Sequence, residues 1–175
     1  MRKILEGEEV QNIWEKVCRE VAREIPLTNL GVVGVRTRGA YLAKRLQEFL
    51  SQKVRKEIPL GILDITLYRD DLTQIAEQPV MKGTEIDFDI TGRKIVLVDD
   101  VIYTGRTIRA ALDELIDFGR PAFIKLAVLI DRGGRELPIQ PDFVGKFLEI
   151  DSEEVVEVKL MEMDEEEGAY IIRRK

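Results

Sequence analysis

The stretch from Ile95 to Leu112 constrains this chain more than any other. Ile95 to Val98 is an unbroken apolar run that reads as a buried strand, and Asp99 and Asp100 stand at its carboxyl end. A Thr104-Gly105-Arg106-Thr107 turn follows, and from Thr107 the apolar spacing becomes helical. Strand, acidic pair, glycine turn and helix in that order make a βα unit of an open sheet, whose ligands gather at the carboxyl ends of strands.

Each part of that unit has its own chemistry. Two adjacent carboxylates are acceptors matched to a vicinal diol such as two ribose hydroxyls. Thr104, Gly105, Arg106 and Thr107 bring backbone N–H groups and hydroxyls to a helix N-terminus, where a phosphate is welcome. Taken singly, an Asp-Asp pair before a helix is often only an N-cap, and a Thr-Gly pair only a turn. Joined, they describe a site for a phosphorylated sugar.

Exclusions narrow the chemistry further. The chain of 175 residues suits one α/β domain with a single sizeable core, expected to span residues 1–175. It contains no histidine, which removes Ser-His and Cys-His catalysis and histidine metal sites. Its one cysteine, Cys18, cannot form an internal disulfide and falls on an apolar helical stripe, so it reads as core. No N-terminal apolar stretch resembles a signal peptide or a membrane span, and a cytoplasmic location is expected. The net charge of −6 argues against a wholly basic surface, although a local basic patch can still bind nucleic acid.

Along the chain, Val10, Ile13, Trp14, Val17, Val21 and Ile25 recur at helical spacing and stop at Pro26. Leu30 to Val35 is a short strand, and the apolar positions from Ala40 to Leu50 line a second helix. Ile62 to Tyr68 reads as another strand. Residues 69–90 lose periodicity and read as a long loop of the lid type. A helix over 107–118, a strand over 123–130, a Gly-Gly loop and a strand over 143–148 complete a mostly parallel sheet with right-handed crossovers. Val155 to Leu160 and Ala169 to Ile171, separated by an acidic turn, read as a C-terminal β-hairpin.

Arg36-Thr37-Arg38-Gly39 is a second polar turn at a strand end. On its own it is simply a basic βα turn. Together with Gly34 to Gly39, Leu63 to Leu72, the Ile95–Thr107 signature and Leu129 to Ile139, however, the chain resembles the type I phosphoribosyltransferases, more narrowly their pyrimidine-operon regulators. That resemblance implies an α/β sheet flanked by helices, a base-binding hood, and the substrate 5-phosphoribosyl-1-diphosphate (PRPP) with Mg²⁺ carried on its own oxygens. It assigns PRPP contacts to Arg36, Thr37, Arg38, Gly39, Val101, Tyr103, Thr104, Gly105, Arg106 and Thr107. Catalysis would rest on Asp99, Asp100 and Arg38, with Arg69 of the lid as a further candidate.

The same resemblance implies transfer to uracil, giving UMP and pyrophosphate, and places the base near Phe143 and Val144, with Arg132 nearby. An aromatic beside a valine is also what plain core looks like, and an enzyme for another base would differ only in this hood. An RNA-binding role in pyrimidine attenuation, responsive to UMP or UTP, would use Arg19, Arg23, Arg135 and Lys146. Here the pattern departs: Gly134 stands where histidine is usual, Gln140 where arginine is common, and Cys18 and Ala22 where polar residues are frequent. The surviving arginines are equally an ordinary solvated face. The resemblance also implies a homodimer or larger assembly.

Overall fold

A computed structural model describes residues 1–68 and 83–173. Five strands form one parallel sheet: β2 (Leu30–Val35), β3 (Leu60–Leu63), β4 (Lys94–Ile102), β5 (Phe123–Asp131) and β6 (Phe143–Phe147). They lie in the order β3-β2-β4-β5-β6, with β4 at the centre. Every neighbouring pair is parallel, Val33 opposite Leu97 and Leu97 opposite Leu126 fixing the register.

The alternation of β4 explains the layers. Val96 and Val98 face a core shared with α1 (Gly7–Glu24) and α2 (Arg38–Val54), whereas Ile95 and Leu97 face one shared with α3 (Arg106–Asp117). Both faces of the sheet are thus covered, which is why its strands read as continuous apolar runs rather than alternating ones. The helices bury their own stripes in return, Trp14, Val17 and Val21 from α1 and Leu42, Leu46 and Leu50 from α2. No helix among the described residues is long and apolar enough to cross a membrane.

A second, antiparallel sheet carries the C-terminal hairpin, β7 (Glu154–Lys159) and β8 (Gly168–Arg173), joined by a short helix α4 (Met161–Asp164). A third strand, β1 (Arg2–Glu6), pairs with β8. Sequence reading passed over β1 because three of its five residues are charged and only Leu5 is buried. The first helix likewise starts earlier than its apolar stripe, at Gly7, where the Glu6 N–H donates to Glu9 Oε2 at 2.8 Å in a capping box.

Two expectations need correction. The strand expected over 62–68 covers only Leu60–Leu63, because Asp64 breaks it. Asp64 Oδ1 accepts from the Thr66 N–H at 3.2 Å and the Thr66 hydroxyl at 2.5 Å, which winds residues 65–68 into a 3-10 turn. The loop expected over 69–90 is not one open segment. Residues 69–82, including Arg69, lie outside the described residues; from Gly83 onward the chain packs, Glu85 bridging Ile62 and Ile90 fully buried.

Candidate active site

A cleft of about 360 Å³ opens at the carboxyl ends of β2, β3 and β4. Arg36, Thr37 and Arg38 line it from the turn after β2, Asp64 and Thr66 from the end of β3, Asp99, Asp100 and Val101 from β4, and Thr107 from α3. These residues follow three different strands, and parallel strand order brings them together.

At the floor of the cleft stands the acidic pair. Asp99 is buried to 6 % exposure and Asp100 is half-buried. The Asp100 N–H donates to Asp99 Oδ1 at 2.9 Å. Burial pushes both carboxyls above the usual range, furthest for Asp99, which also faces the Asp100 charge. For Asp100, hydrogen bonds and the nearby Arg38 guanidinium partly oppose that rise. An acidic pair held this way is short of donors, and hydroxyls or a cation would supply them.

The turn after β4 is built as an anion cradle. Gly105 caps α3 at φ 91°, a left-handed conformation that side chains disfavour. The Arg106 N–H donates to Thr104 Oγ1 at 3.2 Å, and the Thr104 carbonyl accepts from the Glu136 and Leu137 N–H groups at 2.9 and 3.1 Å. Residues 131–140 therefore brace this turn from behind. Arg106 is exposed and pairs with Glu136 at 2.6 Å. The Tyr103 ring lies under the Arg132 guanidinium, 3.7 Å from its centroid.

The turn after β2 sits opposite, and the Arg36–Thr37 peptide within it is cis. Gly39 packs hard against β4: a Cβ there would lie 2.7 Å from the Val98 carbonyl oxygen. The absent side chain lets the turn come this close to β4. Arg36 Nη2 donates to the Gly83 carbonyl at 3.0 Å. Arg38 Nη2 and Nε donate to the two carboxylate oxygens of Asp164 at 2.8 and 3.2 Å.

The base assignment is corrected by the fold. Phe143 begins β6 opposite Ala127, with its ring in the α1 core, and borders a surface recess beside Arg23 and Lys125 rather than the cleft. Val144 packs into the opposite, α3 core. Parallel pairing carries β6 toward the cleft side only at its other end, where Lys146 lies opposite Ile130. Arg132 is buried against Tyr103 and donates to the Asp151 carbonyl at 3.3 Å.

The four cations expected on an RNA face differ in their settings. Arg19 and Arg23 are exposed on α1, paired with Glu15 at 3.2 Å and Glu24 at 2.8 Å. Lys146 is half-buried on β6. Arg135 differs: its guanidinium donates to Asp131 at 2.6 Å, the Tyr103 carbonyl at 2.9 Å and the Ile139 carbonyl at 2.8 Å. It holds the brace of residues 131–140 together. Cys18 is buried and its thiol is pushed up to about 12 by that burial, in keeping with a packing role.

Asp64, Thr66 and Asp164 escaped sequence reading. The first two look like strand residues, and Asp164 belongs to an acidic run that resembles a solvated turn. Nothing local marks Asp164 as the partner of an arginine 126 positions away.

The phosphoribosyl transferase domain family matches residues 3–166. The bifunctional protein PyrR of Elusimicrobium minutum is 51% identical over 174 residues, covering 98% of this chain and 97% of that one. The bifunctional protein PyrR of Thermus thermophilus is 49% identical over 99% of this chain and 96% of its own. Among solved structures, a hypoxanthine phosphoribosyltransferase from Staphylococcus aureus superimposes with a TM-score of 0.70 over 99% of this chain and 92% of that one, at 17% identity, a likeness of fold. With its strand order, its acidic pair and its two anion turns in that arrangement, the chain belongs to the phosphoribosyltransferase family and, within it, to the PyrR proteins.

Proposed function

We propose that this chain transfers the phosphoribosyl group of PRPP to uracil, forming UMP and pyrophosphate, and that it also regulates pyrimidine genes by binding leader RNA in response to UMP or UTP. The observation that carries the enzymatic reading is the Asp99–Asp100 pair, the first buried and the second half-buried, set in the cleft between the turns after β2 and β4. A sugar with phosphate at one end and diphosphate at the other matches that order of groups.

The 5′-phosphate would lie on the Thr104–Thr107 turn, against the first N–H groups of α3. The ribose hydroxyls would donate to Asp99 and Asp100. The diphosphate would meet Thr37 and Arg38. Uracil N1 then attacks the anomeric carbon, its proton leaves, and the bond to the diphosphate oxygen breaks. Positive charge develops on the ring in the transition state, and the acidic pair beside it favours that charge. Positioning supplies most of the rest.

Mg²⁺ suits this donor set, which is all hard oxygen: it would be held by the diol and diphosphate oxygens beside Asp99 and Asp100 and would neutralise the leaving group. Among the described residues no three metal-ligating side chains gather to hold a metal by themselves.

For the regulatory half, the support is the relationship to the PyrR proteins and the exposed Arg19 and Arg23. With Arg135 engaged internally, the RNA face has fewer cations than the resemblance implies, and a shallow salt dependence is expected. A homodimer or larger assembly in the cytoplasm fits the family, and the exposed Ile116, Phe118 and Phe147 are available for such contacts.

A pyrophosphate-release assay with PRPP and Mg²⁺ across uracil, hypoxanthine and orotate tests the enzyme. Release with uracil alone is the expected result, and release only with hypoxanthine or orotate would overturn the base assignment. Filter binding of pyrimidine-leader RNA with and without UMP tests the regulator, for which UMP should tighten retention.

A further inference from the structure

Glu114 is a buried acid that the chemistry above leaves unused. It sits on the inner face of α3, about two turns beyond the Thr104–Thr107 cradle. Its Oε1 accepts from the Thr84 hydroxyl, and its Oε2 has no hydrogen-bond partner among the described residues. Taking an acid out of water is unfavourable, so what this one holds in place matters.

From Glu114 an unbroken series of hydrogen bonds leads to the cleft. The Thr84 oxygen accepts the Asp64 N–H at 2.9 Å. Asp64 Oδ2 accepts the Gly83 N–H at 3.0 Å, and the Gly83 carbonyl accepts from Arg36 Nη2 at 3.0 Å. Gly83 and Thr84 are therefore clamped from two sides, by Asp64 at the end of β3 and by Glu114 of α3, and the carbonyl between them is presented to Arg36. Glu85 continues the clamp by pairing with Ile62 at 2.8 Å in each direction. Asp64 and Arg36 line the cleft, whereas Thr84 and Glu114 stand behind it.

The donors of a guanidinium are fixed in one plane, so its orientation decides what it can bind. For Arg36 the Gly83 carbonyl sets that orientation at hydrogen-bond distance, and the Glu85 carboxylate, 3.8 Å from Nη2, is a looser ion pair. Its Nε is buried and has no hydrogen-bond partner among the described residues. The placing of Arg36 thus depends on a carbonyl that Glu114 helps to fix.

We propose that Glu114 is a positioning residue: by holding Thr84 it fixes the Gly83 carbonyl, and with it the Arg36 guanidinium in the cleft wall, and so strengthens the hold on the sugar diphosphate. The proposal rests on the phosphoribosyltransferase reading above and adds to it a residue that touches no ligand. Helix α3 then serves the site twice, its N-terminus as the phosphate cradle and its inner face as the support of the opposite wall.

The test measures PRPP binding by calorimetry at millimolar Mg²⁺, on the full chain and without uracil. Thr84→Val and Glu114→Leu should each weaken PRPP about fivefold or more, within the range for residues of one hydrogen-bond network. Thr84→Ser keeps the hydroxyl and Glu114→Gln the acceptor, so both should stay within about twofold of the parent. Arg36→Gln should weaken PRPP by itself. In that background Thr84→Val should add less than about twofold, because the group it acts through is gone. A merely structural role would add its full effect there.

Fully additive losses in the double variant, no loss in Arg36→Gln, or unchanged affinity in either Thr84→Val or Glu114→Leu overturns the proposal. So does a loss in Thr84→Ser or Glu114→Gln as large as in its apolar counterpart. In each of these cases the unaltered protein still binds PRPP and the reaction assigned above stands. Failure of the unaltered protein to bind PRPP overturns both. Should Glu114→Leu not fold, Thr84→Val alone and combined with Arg36→Gln decides.

Discussion

Arg38 and Asp164 meet through two hydrogen bonds of 2.8 and 3.2 Å, a fork-on-fork contact that joins the turn after β2 to the C-terminal hairpin. Their side chains keep 23% and 15% of their exposure, so both charges are partly desolvated. Arg38 draws the Asp164 carboxyl below the usual carboxylate range, even though burial acts the other way.

Replacing Arg38 by alanine therefore acts twice. In the proposed reaction it removes a diphosphate ligand, and in the fold it strands Asp164 without its partner. Turnover with PRPP and uracil should fall by about 10² or more, the scale of losing one charge-stabilising donor. Stability should fall by about 1–3 kcal/mol from the unpaired carboxylate. Arg38→Lys keeps the charge but not the fork, so it should recover more of the stability than of the turnover. Steady-state kinetics and urea melts on the same preparations separate the two effects, and equal recovery of both would show that the fork is dispensable.

The acidic pair makes the opposite trade. Both carboxyls are raised by burial, so the folded protein holds their protons more tightly than the unfolded chain does. For a raised acid the destabilisation is fully present above the folded value and disappears as pH falls below the unfolded value. Asp99→Asn removes the charge and keeps an oxygen to accept the Asp100 N–H. It should raise the melting temperature at pH 8 by a few degrees, about 1 kcal/mol or more, with a smaller gain at pH 5, while turnover drops. A variant that melts lower than its parent at pH 8 would contradict this account of the pair.

How much of this was legible in the sequence depends on the range of the interactions. The Ile95–Thr107 unit is local: strand, acidic pair, turn and helix follow each other, and each residue type states its own chemistry. The strands of the parallel sheet were readable for a related reason, since burial on both faces makes them uniformly apolar. What escaped depends on distant partners. Strand β1 is charged and holds its place through β8, Asp164 needs Arg38 to acquire meaning, and Arg135 looks like any surface cation until Asp131 and two carbonyls surround it. Phe143 erred in the other direction. Its neighbours suggested a ring-binding site, but only the pairing with Ala127 shows which end of β6 it occupies.

Behind the cleft, Glu114 of α3 is buried and accepts from the Thr84 hydroxyl, whose oxygen also accepts the Asp64 N–H at 2.9 Å. Its other carboxylate oxygen, Oε2, has no hydrogen-bond partner among the described residues, and burial raises the pKa of the group. Because a raised acid destabilises at high pH, stability should decline as pH rises through the folded value. Glu114→Gln keeps an acceptor for Thr84 without the charge. Melting curves from pH 5 to 8 should be flatter for the variant than for the parent, and parallel curves would mean that Glu114 contributes nothing to the pH dependence.

Gly134, where the family resemblance leads one to expect a histidine, sits in surroundings that favour glycine. Its φ is 74°, in the left-handed region, and a Cβ would lie 2.4 Å from the Tyr103 ring. That ring is already held from its other contacts, with Arg132 stacked at 3.7 Å and Arg135 bound to the Tyr103 carbonyl at 2.9 Å. Gly134→His must therefore adopt a strained backbone, about 1 kcal/mol, and displace an aromatic that supports the turn before α3. The expected result is a lower melting temperature and a weaker grip on PRPP, read as a higher KM with kcat less affected. Gly134→His combined with Tyr103→Ala removes the clash and should recover much of the lost stability relative to Tyr103→Ala alone. A double variant with the full penalty would place the strain in the backbone rather than at the ring.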